Sequence, residues 1–123
     1  MCSSDLVWQT WGQLLRHWKT FLRSMAIGCW MGITPGGATP ASFMSYGMAR
    51  RMAKDPQSFG QGNIQGVIAP ETAAHAAGTS ALLPMLTLGI PGSPTAAVLL
   101  GGLLIWGLQP GPMLFVEDRK SVV

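Results

Sequence analysis

The sequence predicts an all-α membrane protein made of broken helices and re-entrant helical hairpins. Three observations carry that expectation. Of the 123 residues, 48% are hydrophobic and only 11% are charged, where soluble domains carry roughly 25%. The charges leave two long gaps: no Asp, Glu, Lys or Arg occurs in residues 24–49 or in residues 72–116. The second gap far exceeds the about 20 residues a helix needs to cross a bilayer. Finally, both gaps are interrupted, the first at Thr34-Pro35-Gly36-Gly37 and Pro40, the second at Gly89-Ile90-Pro91-Gly92-Ser93-Pro94. Proline lacks a backbone donor and clashes with the preceding turn, so each cluster ends a helix. A broken helix is tolerated in lipid where protein or water satisfies the freed backbone groups, and transporters place such breaks at solute and ion sites.

Composition also excludes several classes. A disordered chain needs more charge and less apolar content. Sixteen Gly and nine Pro without a three-residue period exclude collagen. The net charge of +3 comes from clusters at residues 16–23 and 50–54 rather than a continuous basic face, so nucleic acid is not an expected partner. Cys2 and Cys29 have no metal-ligand or disulfide spacing. No Ser/His/Asp arrangement, metal cluster or phosphate loop points to an enzyme; Pro-Gly-Gly lacks the lysine a P-loop needs.

In order along the chain, residues 8–25 read as one amphipathic helix. Trp8, Trp11, Leu14, Leu15, Trp18, Phe21, Leu22 and Met25 fall on one arc at 100° per residue; Gln9, Gln13, Arg16, His17, Lys19, Thr20 and Arg23 fall on the other. Tryptophans opposite cations suit a helix in the membrane interface. Gly28-x-x-x-Gly32 follows, a spacing that permits close helix approach. After the first break, residues 41–52 resume a helix. Cations precede this pair of arms (Arg16, Lys19, Arg23) and follow it (Arg50, Arg51, Lys54), which places both ends on the cytoplasmic side and predicts a hairpin. Residues 55–66 are a polar loop of turn formers. Ala69-Pro70-Glu71-Thr72 is expected to start a helix, with Glu71 favourable at the positive dipole end. The equal alternative is that Glu71 binds a cation or proton beside the solute site. His75, one turn on, is either a buried neutral side chain bonded to a neighbour or a proton relay. Residues 73–88, with Pro84 inside, and 95–108, with Ala97-x-x-x-Gly101 as a packing face, form two arms around the second break. Trp106 and Gln109 are placed near a membrane surface.

Five strings then stand out: Pro35-Gly36-Gly37-Ala38-Thr39-Pro40-Ala41-Ser42-Phe43 with Tyr46; Ser58-Phe59-Gly60-Gln61-Gly62; Gly66-Val67-Ile68-Ala69-Pro70-Glu71-Thr72-Ala73; Leu86-Thr87-Leu88-Gly89-Ile90-Pro91-Gly92-Ser93; and Gly107-Leu108-Gln109-Pro110-Gly111-Pro112. In order and spacing they resemble the large membrane subunit of the tripartite tricarboxylate transporters, the TctA type, over residues 22–115. The resemblance implies a fragment, from the second half, of an inverted-repeat transporter. Its organisation is residues 7–25 as an interfacial helix, 26–54 as a first broken hairpin, 55–68 as a polar loop and 69–116 as a second broken hairpin. Residues 1–6 and 117–123 are read as foreign sequence. The departures are Ala49 and Gln65, where the family often has acids, and Ala74-His75, where it has paired asparagines; these bear on specificity and coupling ion.

The resemblance also implies a multi-pass secondary transporter of the bacterial inner membrane. It would import small carboxylates on a sodium or proton gradient, without a cofactor, together with a small membrane subunit and a periplasmic solute-binding protein. Helix N-termini attract anions, and no arginine lies in either gap. The substrate-binding candidates are therefore Pro35, Gly36, Gly37, Thr39, Ser42, Thr87, Pro91, Gly92, Ser93 and Thr95. The candidates for the coupling cation are Glu71, Thr72 and His75. The alternative is a small membrane-associated interaction protein, held by residues 8–25 and lacking transport activity.

Overall fold

The computed structural model describes residues 3–112 apart from Pro35, with side chains from Trp8 onward. Six α-helices and a short 3-10 turn make up the described residues, which contain no strand: α1 (Ser3–Arg16), α2 (Trp18–Ile33), α3 (Ala38–Met52), the turn Pro56–Ser58, α4 (Gln65–Ser80), α5 (Leu82–Leu88) and α6 (Pro94–Ile105). Helices α2, α3 and α4 pack on one another as the central bundle, while α5 and α6 continue from the end of α4. Helices α2 and α3 run antiparallel: Arg23 meets Met52 at one end, Ser24 meets Ser45 further along, and Met31 packs beside Ala41 at the other. The cationic ends of the two arms thus stand together, as the sequence predicts.

The bundle is assembled from small residues. Helix α2 buries Thr20, Ser24, Gly28 and Gly32, one every four residues. Helix α4 answers with Ala69, Ala73 and Ala77, and Ala81 continues the series just past its end. A side chain at Gly28 would collide with the Ala73 carbonyl and the Ala76 methyl; one at Gly32 would collide with the Ala77 carbonyl and Ser80. Glycine is required at both positions because the two backbones all but touch. Among the described residues, seven of the ten buried hydrophobic side chains are alanines, joined by Phe59, Ile68 and Met85. Most of the large apolar side chains, including Trp8, Trp18, Trp30, Phe43, Val98 and Ile105, lie outside. Water drives large apolar groups inward. Lipid exerts no such force and leaves close packing of small residues to hold helices together. No helix among the described residues is long and apolar enough to cross a membrane. The 16 residues of α2 or α4 reach about 24 Å at 1.5 Å each, short of a hydrocarbon core of about 30 Å.

Several expected elements are redrawn. The helix expected over residues 8–25 is two helices, broken at His17, whose backbone (φ −101°, ψ 24°) leaves the helical region. The His17 Nδ1 lies 2.9 Å from the Gln13 carbonyl; a carbonyl only accepts, so Nδ1 donates and closes the end of α1. Helix α4 begins at Gln65 rather than at Pro70, with the Asn63 Oδ1 accepting from the Gln65 amide at 2.9 Å. Pro70 is interior, and Glu71 is beyond the first turn, where the dipole no longer favours it. The arm expected over residues 73–88 divides at Ala81 because Pro84 has no amide to bond the carbonyl of Ser80. The Ala97/Gly101 face of α6 meets no helix among the described residues: Ala97 is exposed, and a side chain at Gly101 would find open space. The polar loop carries a core residue, Phe59, whose ring stands edge-on to Tyr46 with centroids 5.6 Å apart. Of the two end segments, residues 3–6 belong to α1, while 117–123 lie outside the described residues.

Candidate functional site

The two breaks are built differently. At the first, α3 starts from Gly37, whose φ of 78° is open to glycine and strained for other residues, and no side chain caps the first amides of α3. At the second, Gly89 closes α5 in the left-handed conformation, and Ser93 starts α6, its hydroxyl accepting from the Ala96 amide at 3.2 Å, with Pro94 in the first turn. The second break folds onto the end of α2. A Cβ at Gly92 would stand 3.1 Å from the Gly32 carbonyl and 3.4 Å from the Ala81 methyl. The loop after α6 returns to the same place. The Gly111 amide donates to the Leu86 carbonyl at 3.0 Å, and the Pro110 carbonyl lies 3.2 Å from where a Cβ at Gly89 would be. Two of the sequence strings thus meet, the Leu86–Ser93 turn and the Pro110–Gly111 loop, and the first of them packs through Gly92 on Gly32 near the end of α2.

The substrate-binding candidates divide by where they fall. Pro35 lies outside the described residues. Gly36 is exposed and Gly37 buried at the foot of α3, with Thr39 exposed on its first turn. Pro91, Gly92, Ser93 and Thr95 share the second break, where the Ser93 and Thr95 hydroxyls are 3.0 Å apart. Ser42 and Thr87 hold no free hydroxyl. Ser42 Oγ donates to the Ala38 carbonyl at 3.0 Å and stands 3.3 Å from the Pro70 carbonyl, inside the α3–α4 seam. Thr87 donates to Leu83 of its own helix at 2.8 Å.

The cation candidates sit elsewhere. Glu71, Thr72 and His75 line a groove of about 860 Å³ between α2 and α4, walled by Phe21, Met25 and Leu83. None of the substrate candidates among the described residues lines it. Glu71 and His75 pair across one turn, Oε2 to Nε2, at 3.6 Å. Their side chains are 68% and 85% exposed respectively, so His75 is not the buried histidine of the first expectation. The groove wall is mostly apolar, with Thr72, Thr79 and Ser80 as further polar groups beside the pair. Among the described residues no group of His, Cys, Asp and Glu is arranged to hold a metal ion.

Sequence reasoning missed the residues that fix this geometry. Ser24 and Ser45 are buried partners in the bundle, and extending the Gly28/Gly32 spacing back by four would have reached Ser24. Pro110 and Gly111 belong to the second break only through tertiary folding, which no local pattern marks.

Small-residue seams, outward apolar side chains and helices broken by Pro-Gly turns define an all-α protein packed as membrane helices pack. The chain belongs to the Tripartite tricarboxylate transporter TctA family, which matches residues 2–123 and so takes in both end segments. It is 41% identical over 92 residues to an uncharacterized 52.8 kDa protein in the TAR-I ttuC′ 3′ region of Agrobacterium vitis, covering 74% of this chain and 18% of that protein. It is 43% identical over 86 residues to an uncharacterized protein in the TAR-II ttuC′ 3′ region of the same organism, covering 69% of this chain and 36% of that one. The chain therefore spans about a fifth to a third of the length of these curated relatives. No solved structure matches it.

Proposed function

We propose that this chain is part of the permease subunit of a tripartite tricarboxylate transporter in the bacterial inner membrane. The subunit imports small organic dicarboxylates or tricarboxylates by secondary transport. The convergence of the second break on the end of α2, at Gly92 and Gly32, carries this reading. Beside it, α3 begins without a side-chain cap, and amides at a helix start are donors suited to a carboxylate. The antiparallel arms α2 and α3, each shorter than a bilayer and joined at the first break, support a re-entrant hairpin that enters and leaves on the cationic side. Glu71, with Thr72 and His75, is the site for the coupling sodium ion or proton, since it is the acid on a mostly apolar groove of a chain read as lying in the membrane. A small membrane subunit and a periplasmic solute-binding protein complete the system.

The test is complementation of a strain lacking the intact permease. Gly36→Leu is the informative variant, because Gly36 is exposed and its nearest neighbour is the flexible end of Met31. Uptake of radiolabelled citrate and succinate is expected to vanish while the protein accumulates normally in the membrane. Unchanged uptake of both would refute the carboxylate site.

A further inference from the structure

We propose that the junction of α1 and α2, where the end of α3 closes over it, binds the phosphate headgroup of an anionic phospholipid. A pocket of about 600 Å³ opens there. Arg16, Lys19 and Arg23 line it from one side and Lys54 from the other, with Trp18 at its wall. Arg23 is the telling residue. Its Nε is buried and has no hydrogen-bond partner. Its terminal nitrogen reaches the Met52 sulfur at 2.9 Å, and a thioether is a weak acceptor for a guanidinium. A buried donor left unmet is costly, and the planar guanidinium fork is shaped for two phosphate oxygens.

No carboxylate among the described residues answers these cations. The one ion pair found there is Glu71 with His75, away from this pocket. Asp55 does line the pocket, and its Oδ1 is occupied by the Gln57 amide at 3.1 Å. Four cations and one carboxylate line the pocket among the described residues, and that excess of positive charge favours an external anion.

The surroundings select a lipid over a free ion. Trp18 is 56% exposed, and Phe21 and Leu22, on the next turn of α2, also face outward. Tryptophan beside exposed aliphatic and aromatic groups marks the depth of the headgroups. Basic pockets between helices on the cytoplasmic side suit anionic headgroups. A phosphate held by Arg23 would leave its acyl chains lying along that apolar face of α2.

The proposal rests on the membrane reading above, and the experiment separates the two. The intact permease is first washed in alkaline carbonate; its release from the membrane would overturn the membrane reading, and this site with it. The retained protein is then purified in detergent and titrated with phosphatidylglycerol and phosphatidylcholine, with native mass spectrometry counting bound lipids. Phosphatidylglycerol is expected to bind preferentially. Lys19→Gln and Lys54→Gln are each expected to weaken it about fivefold, the effect of one cation near an anionic surface. Arg23→Gln should weaken it more, and Arg51→Gln, outside the pocket, should leave it unchanged. Equal binding of the two lipids, or variants indistinguishable from the parent, would overturn the proposal. Inorganic phosphate and citrate form the competing arm: failure to displace the lipid at millimolar concentration supports a headgroup site, and ready displacement assigns the pocket to a soluble anion instead.

Discussion

Ser24 of α2 and Ser45 of α3 meet hydroxyl to hydroxyl at 2.8 Å, and Ser45 stands equally close, 2.8 Å, to the Ala69 carbonyl of α4. A carbonyl only accepts and a hydroxyl has one proton, so Ser45 donates to Ala69 and accepts from Ser24. Three helices are tied at one buried point. One residue further along α4, the Pro70 carbonyl lies 3.3 Å from the Ser42 hydroxyl, which donates to Ala38 of its own helix.

Ser45→Ala is expected to lower the stability of the bundle by about 1 kcal/mol, within the roughly 0.6–1.7 kcal/mol measured for hydrogen bonds between membrane helices. Ser24→Ala should cost less, because Ser45 keeps its bond to the carbonyl. A double-mutant cycle read by denaturant unfolding in micelles checks the wiring. Strictly additive losses would show that the two hydroxyls do not communicate.

The α2–α4 seam predicts a sharp difference between glycines. Gly28→Ala forces a methyl against the Ala73 carbonyl, and overpacking of this kind costs about 1–3 kcal/mol. Gly28→Leu is expected to abolish folding. Gly12 lies on α1 with nothing near its missing Cβ, so Gly12→Ala should be neutral or stabilising by up to about 1 kcal/mol through helix propensity. Thermal unfolding of the purified variants measures both effects; a destabilised Gly12→Ala would place α1 against something it does not touch here.

The all-helical class and the two breaks were legible because spacing of charge and proline depends on local chemistry alone. The pairing of α2 with α3 was legible in the cations at its two ends. What could not be read is instructive. The arc running from Trp8 to Met25 carries no mark of the stop at His17, since tryptophan and leucine continue at the same period through it. Pro70 looks like a helix start because proline favours first turns, yet Asn63 begins α4 earlier and Ser42 approaches the Pro70 carbonyl from α3. Thr87 and Ser42 look like ligands by type, but each hydroxyl spends its proton on a nearby carbonyl, the ordinary fate of such side chains in helices. The meeting of Gly92 with Gly32, and of Gly89 with Pro110, is a tertiary fact that only the folded chain supplies.

Glu71 offers a separation of structural from functional roles. An exposed i, i+4 pair contributes at most about 0.5 kcal/mol, so Glu71→Gln is expected to leave the unfolding midpoint nearly unchanged. If the groove carries the coupling cation, the same variant in the intact permease lowers carboxylate uptake and flattens its dependence on the sodium or proton gradient. His75→Gln, which keeps a polar group without a titrating ring, should have a smaller effect. Uptake by Glu71→Gln that matches the parent at every gradient would remove Glu71 from the coupling site.

The outward apolar surface makes the last prediction. Trp30 is 73% exposed on α2 and Trp106 85% exposed just past α6, and water would not favour either arrangement. In lipid both are at ease, Trp30 beside acyl chains and Trp106 at the interface. Single-tryptophan proteins retaining one or the other, reconstituted in vesicles, should be quenched by brominated lipids. Bromines deep on the acyl chain should act more strongly on Trp30, and bromines close to the headgroup more strongly on Trp106. Acrylamide in the aqueous phase should quench Trp30 weakly. The two depths are a linked requirement, because α2 ends at the first break and the second break folds against its last turn. A Trp30 that responds to acrylamide and ignores every brominated lipid would put that end of α2 in water, and with it the meeting point of both breaks.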